Sequence, residues 1–475
     1  MKRIAVIGGG ISGLVAAFQL QKHRERGAEV DYTLIEASQR FGGVIKTEQV
    51  EGCVLESGPD SFLTEKAWGA DLCRELGLED QLIYSNDSDR KTYMFVEGRR
   101  VPIPDGLMFM VPTKFVPVFT SPLFSWTTKL RILKEWFHKR SADAGDCTVS
   151  DFIARHYGRE MVDRVADPLL AGVYGGSADE LSAQSVLPRF VETEAKFGSL
   201  GKAMIAARKQ SLGGPNKPIF TSLRNGMQQM VDALVTRIPQ TARRLNTQVE
   251  QIKTESGKWL AVTAGRTEEF DAIVLAMPAY AAAGLLGDAP KISQQLNATR
   301  YSSSVTVALV YDGTVRAALS PGFGILVPRS EGLRTLAVTF VHNKFSNRAP
   351  EGRAVIRCFL GGSRDESVLE ETDENIMAIV RRELQQLAGI DAAPLLARIQ
   401  KWPRAMAQYG LGHSVRVAQI REMVGGIPGL ALAGNAYAGI GVPDCVRSGS
   451  EAAAKILADL GMVVHASGAG RTAGT

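Results

Sequence analysis

The sequence contains no cysteine pairing pattern: Cys53, Cys73, Cys147, Cys358 and Cys445 are odd in number, widely scattered and free of any CxxC spacing. This excludes a disulfide-built fold and fits reduced thiols in an intracellular, cytoplasmic protein. The six histidines include no HExxH or similar spacing, so no metal is expected. No apolar run reaches the ~18 residues of a membrane span; the nearest stretch, Leu107 to Trp126, is broken by Pro112, Lys114, Pro117 and Pro122. No signal peptide is expected, because the apolar residues at the N-terminus read as a first strand. The net charge of +5 is a small excess of 55 basic over 50 acidic residues, without a basic cluster interleaved with aromatics. Nucleic acid is therefore not an expected partner. There is no internal repeat. What remains is a chain of 475 residues and 45% hydrophobic content, enough for two or three domains with sizeable cores.

The first fourteen residues carry the most specific signal. Ile4 to Ile7 read as a short buried parallel strand, followed by Gly8, Gly10 and Gly13 and a helix from about Ile11 to Arg24. Gly8 permits the tight turn, Gly10 lets a pyrophosphate approach the backbone, and Gly13 lets the helix pack on the strand. The positive helix N-terminus, with Ile11 and Ser12, faces the phosphates. A second strand, Asp31 to Ile35, ends in Glu36, whose carboxylate accepts ribose hydroxyls and repels a 2′-phosphate. This cradle predicts a dinucleotide with free ribose hydroxyls, either nicotinamide or flavin. The segment Glu36 to Thr47 favours the flavin: Gly42 and Gly43 allow a second close backbone approach, and Arg40 can neutralise pyrophosphate charge. A further glycine turn follows at Gly58-Pro59-Asp60.

In these paired motifs, GxGxxG with Glu36 and then ExxxRxGG, the chain resembles the flavin-dependent amine oxidase and porphyrinogen oxidase superfamily, which holds FAD noncovalently. The resemblance extends to Phe220 to Met227, to the strand at Val249, to Asp271 to Pro278 with Ala276, to Leu430 to Gly434 and to Gly439 to Cys445. It implies an α/β fold: a Rossmann-like FAD-binding domain with an α+β substrate-binding domain and a mostly helical insert. Ile440, Gly441 and Val442 precede a helix read from about Val446 to Leu460, whose N-terminus would stabilise negative charge on a reduced flavin. The expected cofactor contacts are thus Gly8, Gly10, Ile11, Ser12, Gly13, Glu36, Arg40, Gly42, Gly43, Gly58, Pro59, Val249, Ala276, Trp402, Gly434, Ile440, Gly441 and Val442.

Two segments point to one branch. Lys401 to His413 resembles the W…PQY..GH signature of protoporphyrinogen and coproporphyrinogen oxidases, with Ala407 in place of the usual proline, and Pro168 to Gly176 resembles their helical signature. The motifs around Gly58 and Gly441 look more like the bacterial coproporphyrinogen-oxidising type. The resemblance implies FAD-dependent oxidation of coproporphyrinogen III to coproporphyrin III in haem biosynthesis: six electrons in three hydride steps to flavin, molecular oxygen as acceptor, hydrogen peroxide as product, and no side-chain acid or base. Protoporphyrinogen IX oxidation is the alternative. An amine oxidase or carotenoid desaturase on the same scaffold is a second, with Lys344 and Tyr437 as the residues to weigh, and an FAD-bearing haem-pathway binding module is a third. Candidate substrate contacts are Arg99 and Arg100, adjacent to Val101 where some relatives place a propionate-binding arginine; Leu169, Gly172, Val173 and Tyr174 as an apolar wall; and Tyr409 and His413 for a carboxylate. Ile325 and Val338 read equally as wall or strand core.

The expected organisation is a discontinuous FAD-binding domain (1–90, 218–295 and 425–465), a helical insert (100–215), a substrate-binding domain (296–420) and a disordered tail (466–475). Within the insert, the aromatic stretch ending at Trp126 and the basic amphipathic segment Lys129 to Arg140 suit either a membrane surface or the lining of an apolar pocket. A peripheral position on the inner face of the membrane would allow handover to the next haem-pathway enzyme.

Overall fold

A computed structural model describes residues 1–108, 110–139, 145–210 and 218–462. The tail expected at 466–475, the end of the segment reaching 465, and Arg140 lie outside the described residues. The described chain forms two compact units, one of Met1–Gly43, Met230–Ala298 and the part from Ala418 onward, the other of Val44–Gln229 and Thr299–Val417.

The first unit is built on a five-stranded parallel sheet, ordered Arg243–Arg244, Val30–Ile35, Lys2–Ile7, Ala272–Leu275, Leu430–Leu432. Its central strands are continuous apolar runs because helices cover both faces, which removes the polar alternation of a half-exposed strand. Ile4, Ala5, Val6 and the whole of Ala272–Leu275 are fully buried. The opening helix, Ile11–Glu25, packs against the long terminal helix Val442–Asp459. Gly449 makes that approach possible, since a Cβ there would stand 2.2 Å from the Ser12 carbonyl oxygen. The terminal helix starts four residues earlier than the composition suggested. Gly441 is its N-cap and Pro443 lies in its first turn, where a missing N–H costs no helical bond. A three-stranded antiparallel sheet, Val249–Glu255, Lys258–Thr263 and Arg266–Phe270, completes the unit.

The second unit centres on a seven-stranded sheet ordered Leu396–Ala407, Tyr301–Asp312, Arg353–Gly361, Thr335–Phe340, Gly324–Leu326, Thr92–Val96, Arg99–Pro102. The helix Asp373–Ala388 covers one face through Ile376, Val380, Leu384 and Leu387, which meet Val305, Val307, Leu309 and Ile356. Ile325 and Val338 pair with each other and belong to this core rather than to a ligand-facing wall. The helical part has its own core, from Phe152, Ile153, Met161, Val165 and Leu170 among others.

The insert read as mostly helical also contributes strands: Arg99–Pro102 and the short pair Leu107–Met108 and Val111–Pro112. The helix expected over Glu160 to Ala166 is instead a turn of α-helix, Arg159–Met161, then a π-helical stretch Val162–Ala166 running into the helix Asp167–Tyr174. Pro168 accounts for the widening: it has no N–H, and its ring would strike the Arg164 carbonyl in a regular α-turn. The compact units also divide the chain differently from the expected segments. Val44 to Arg90 and Ile219 to Gln229 belong with the second unit, because Cys53–Glu56 and Phe220–Leu223 pack and pair with elements there.

Candidate cofactor site

In the first unit, four strands of the parallel sheet end at one edge, and each carboxyl end leads into a residue singled out in the sequence. Ile7 precedes Gly8, Ile35 precedes Glu36, Leu275 precedes Ala276, and Leu432 is followed closely by Gly434. Ligands of open α/β sheets bind outside this edge.

The glycines there differ physically. Gly8 has φ +109°, and a Cβ on it would lie 2.2 Å from the Ala276 carbonyl oxygen. A Cβ on Gly13 would lie 1.8 Å from the Gly8 carbonyl oxygen and 3.2 Å from the Ala276 Cβ, so the helix approaches the turn only because Gly13 has no side chain. Gly10, the helix N-cap, has φ −70° and nothing within 4 Å of its would-be Cβ. It borders open space, next to the helix N–H groups that lack an intrahelical partner. Gly42 bridges to Gly10 and donates to the Gly9 carbonyl at 2.8 Å, and Gly43, at φ +57°, comes close to the Gly10 Cα.

Glu36 braces this cradle. Its Oε2 accepts from the Gly9 N–H at 2.6 Å and its Oε1 from the Ser38 N–H at 2.7 Å. The Glu36 carbonyl accepts from Thr247 and the Ser38 carbonyl from Asn246, each at 3.0 Å, which brings the chain leading to the buried Val249 beside the acidic loop. Arg40, expected to meet phosphate, donates to the carbonyls of Phe41 and Gly43 and so stiffens the double-glycine loop. Burial lowers its pKa, and Glu36 opposes that shift. Ser12 was read as a cofactor contact, but its buried hydroxyl donates to the Cys445 carbonyl at 2.9 Å. That bond ties the opening helix to the terminal one. Beyond Gly434, held by its N–H to the Ser448 hydroxyl, the chain turns through Gly439 at φ +117°. Ile440 is half-buried and Val442 buried. The Asp444 carboxylate accepts from the Gly441 N–H at 3.2 Å, which caps the terminal helix. An open glycine backbone at a helix N-terminus beside a carboxylate at ribose distance in sequence is the donor and acceptor set that a dinucleotide needs.

In the second unit, Gly58 is required because a Cβ would lie 1.8 Å from the Val44 carbonyl oxygen. Trp402 donates its indole N–H to the Ser57 carbonyl at 2.9 Å, and the Thr306 hydroxyl donates to the same oxygen. The Gly58-Pro59 turn and Trp402, far apart in sequence, are thereby joined. Trp402 sits on the edge strand Leu396–Ala407, where a bulge opposite Ser302 and Ser304 accommodates Pro403 and puts Arg404 at φ +47°. Proline is tolerated at such an edge because no ladder bond is lost.

A buried charge cluster behind this turn was not anticipated. Asp60 accepts from Lys344 Nζ at 3.1 Å on both oxygens and lies 3.7 Å from Arg357, which also donates to the Gly58 carbonyl at 2.6 Å. Arg348, fully buried, donates to the Ser222 hydroxyl and pairs with Glu56 at 3.5 Å. Burial opposes ionisation of Asp60, but Lys344 and Arg357 outweigh it and hold the carboxyl well below its usual range. Burial likewise pulls the Lys344 ammonium down against Asp60. The readable signal was a lone basic residue, Arg357, inside the apolar strand run Ala354 to Leu360: a buried charge demands a partner. Lys344 is committed to Asp60 and Ser61, and Tyr437 is buried in the first unit.

The candidate substrate residues fall into separate groups. Leu169 and Tyr174 are half-buried while Gly172 and Val173 are exposed, an apolar face on the helix Asp167–Tyr174. That helix is pinned through Asp167, which accepts from Arg364 at 2.6 Å and the Ala178 N–H at 2.8 Å. Arg99 and Arg100 stand exposed on the outermost strand, with Arg100 donating to the Ser320 hydroxyl. Tyr409 and His413, expected as carboxylate contacts, lie in the interior. They are 3% and 2% exposed and stack at 3.9 Å, with Tyr174 meeting Tyr409 edge-on. Burial pushes the His413 imidazole down to about 4, which favours the neutral ring in this packing.

Comparison with known proteins agrees with this architecture. The family model described as flavin containing amine oxidoreductase matches residues 11–457. The chain is 33% identical to the coproporphyrinogen III oxidase of Bacillus subtilis over 96% of this chain and 98% of that one. It is 28% identical to the mitochondrial protoporphyrinogen oxidase of Nicotiana tabacum, over 97% of this chain and 94% of the other. A crystal structure from Exiguobacterium sp. 255-15, of a candidate protoporphyrinogen oxidase, superposes with a TM-score of 0.86 at 28% identity, covering 97% of this chain and 99% of its own. With the strand-edge cradle, the full-length match makes this chain a member of the flavin-containing amine oxidoreductase family, an FAD-dependent oxidase.

Proposed function

We propose that the chain oxidises coproporphyrinogen III to coproporphyrin III in haem biosynthesis, with molecular oxygen taking up the electrons as hydrogen peroxide. The observation that carries this reading is the 33% identity, spread over 96% of the chain, to a protein named for that reaction. Oxidation to the aromatic macrocycle removes six electrons and six protons in three steps, matched by three molecules of oxygen reduced to three of peroxide. Bound FAD supplies the two-electron acceptor. The protein's part is to hold and shield. In this reading Gly10 and the helix N-terminus receive the pyrophosphate and Glu36 the ribose, while Gly434, Ile440, Gly441 and Val442 line the path to the flavin end. The exposed apolar face of Leu169, Gly172, Val173 and Tyr174 suits a macrocycle, and Arg99 and Arg100 are exposed cations suited to its carboxylates.

Protoporphyrinogen IX is the second reading, favoured by the full-length match to the tobacco enzyme. Comparative turnover of the two porphyrinogens with peroxide detection tests both, and a panel of amines tests the amine oxidase alternative. Faster turnover of coproporphyrinogen supports the proposal; turnover of amines alone refutes it. A yellow protein that no porphyrinogen bleaches anaerobically is a binding module instead.

Among the described residues no helix is long and apolar enough to cross a membrane. The helix Trp126–Glu135 and the turn after it nevertheless expose Trp126, Leu130, Leu133 and Phe137 along one face, beside the exposed cations Arg131 and Lys134. This stripe supports peripheral contact of a cytoplasmic enzyme with an anionic membrane surface, from which product could pass to the next enzyme.

A further inference from the structure

Three helices that are separate in sequence bring two histidines and two glutamates together in the second unit. His156, on Val149–Tyr157, has a fully buried side chain, and its Nε2 lies 3.2 Å from Glu194 Oε1. Glu194, on Pro188–Phe197, is 3% exposed, and the same oxygen lies 3.7 Å from His138 Nε2. His138 follows the end of Trp126–Glu135, fixed by its N–H to the Glu135 carbonyl at 2.8 Å, and is 28% exposed. One ligand atom from each of His138, His156 and Glu194 lies within 4.8 Å of the others.

We propose that His138, His156 and Glu194 form a binding site for a divalent transition metal of the zinc class. A metal at about 2.0–2.1 Å from each ligand atom needs them roughly 3.3 Å apart. The contact at 3.2 Å already meets this, and His138, 3.7 Å from Glu194 at the partly exposed end of a turn, closes the remaining gap. Two imidazoles and a carboxylate are a recurrent zinc set, leaving one corner for water.

The surroundings are those of a metal site. His156 Nδ1 meets Glu135 Oε1 at 3.1 Å, so with Nε2 on the metal the ring would donate its other N–H to a carboxylate. Glu135 is itself fixed by the Leu200 N–H at 2.7 Å and the Ser199 hydroxyl at 3.0 Å. Glu194 turns its second oxygen to Arg155 at 3.8 Å, which keeps the first directed at the histidines. Two carboxylates balance a dication, and the ligands tie three helices together.

The test uses tag-free, chelator-treated holoenzyme titrated with Zn²⁺ by calorimetry, with thermal unfolding followed in parallel. One zinc per chain, with a raised Tm, is expected. His138→Ala should lower the affinity at least about tenfold and reduce the Tm shift, and Glu135→Gln should cost about 10–100-fold. FAD content should be unchanged in both. Cobalt substituted into the wild-type protein should give the intense visible bands of a tetrahedral site, a readout that needs no variant. Absence of zinc binding, wild-type affinity in His138→Ala, or only the faint bands of octahedral cobalt would overturn the proposal.

Discussion

Alanine at Gly10 and alanine at Gly13 should fail for different reasons, and the contrast isolates the cofactor's approach from the fold's own packing. At Gly13 the added Cβ would stand 1.8 Å from the Gly8 carbonyl oxygen, with Ala276 at 3.2 Å on the other side. Neither obstacle is a flexible side-chain end, so the helix Ile11–Glu25 must retreat by about 1 Å, an overpacking cost of about 1–3 kcal/mol. At Gly10 the backbone is at φ −70° and nothing lies within 4 Å, so the protein accommodates the methyl group. Alanine is a poorer N-cap than glycine, while the unfolded chain loses freedom, and the two effects leave stability within about 1 kcal/mol of wild type. The open space is where a pyrophosphate would come closest, and a methyl group there should weaken FAD binding at least about tenfold, or about 1.4 kcal/mol. Urea unfolding of the apoproteins and FAD titration of the refolded chains measure the two quantities. Gly13→Ala should lose both stability and FAD; Gly10→Ala should lose FAD alone. Unchanged FAD affinity in Gly10→Ala would refute the placement of the phosphates, and an unchanged urea midpoint in Gly13→Ala would refute the packing argument.

Asp60→Asn strands the buried Lys344 and Arg357 cations and should cost about 3–5 kcal/mol by urea unfolding. Because the folded-state pKa of Asp60 is depressed, its contribution is fully present above the unfolded value of about 4 and is lost as pH falls, so the variant should show a shallower acid limb. His413 and His342 are both held down to about 4, so between pH ~6.5 and ~4 the unfolded chain binds protons that the folded chain refuses, and stability falls with pH. His413→Phe, which keeps a flat ring on Tyr409, should remove about 3 kcal/mol of that dependence in denaturation midpoints measured across the window. Glu36→Arg loses the bonds to Gly9 and Ser38 together with the ribose acceptor, so FAD content after gel filtration should drop; full retention would remove Glu36 from the cofactor site. Phe137→Glu, at a position 78% exposed, should reduce sedimentation with anionic vesicles without changing FAD content, and equal sedimentation would argue against the membrane-facing stripe.

Much of the first unit was readable because its chemistry is local. From Lys2 to Gly43, strand, turn, helix, second strand and acidic loop follow one another without interruption, and the groups that a Cβ on Gly9 or Gly13 would strike lie mainly within that same stretch, with Ala276 the distant exception. The boundaries that moved did so where a nonlocal or special residue intervened. The helix expected from Val446 begins at Val442, since Pro443 suits a first turn as well as a loop. The helix over Glu160 to Ala166 gave way to a π-helical stretch at Pro168's approach.

The sequence by itself determined the dinucleotide cradle, the alternation of buried runs that makes a parallel sheet, and the family motifs at Arg40, Trp402 and Gly441. Tertiary structure alone decided what those residues lean on. Asp60 finds Lys344 and Arg357 from positions nearly 300 residues away in the chain, and Trp402 reaches Ser57 from 345 away. Tyr409 and His413, polar on paper, became a buried stack. His138, His156 and Glu194 obey no ligand spacing because three helices bring them together, not one. The physical reason is common to all of these: turn geometry and periodicity are written in adjacent residues, whereas the partner of a buried charge or ring is chosen by how separate elements pack.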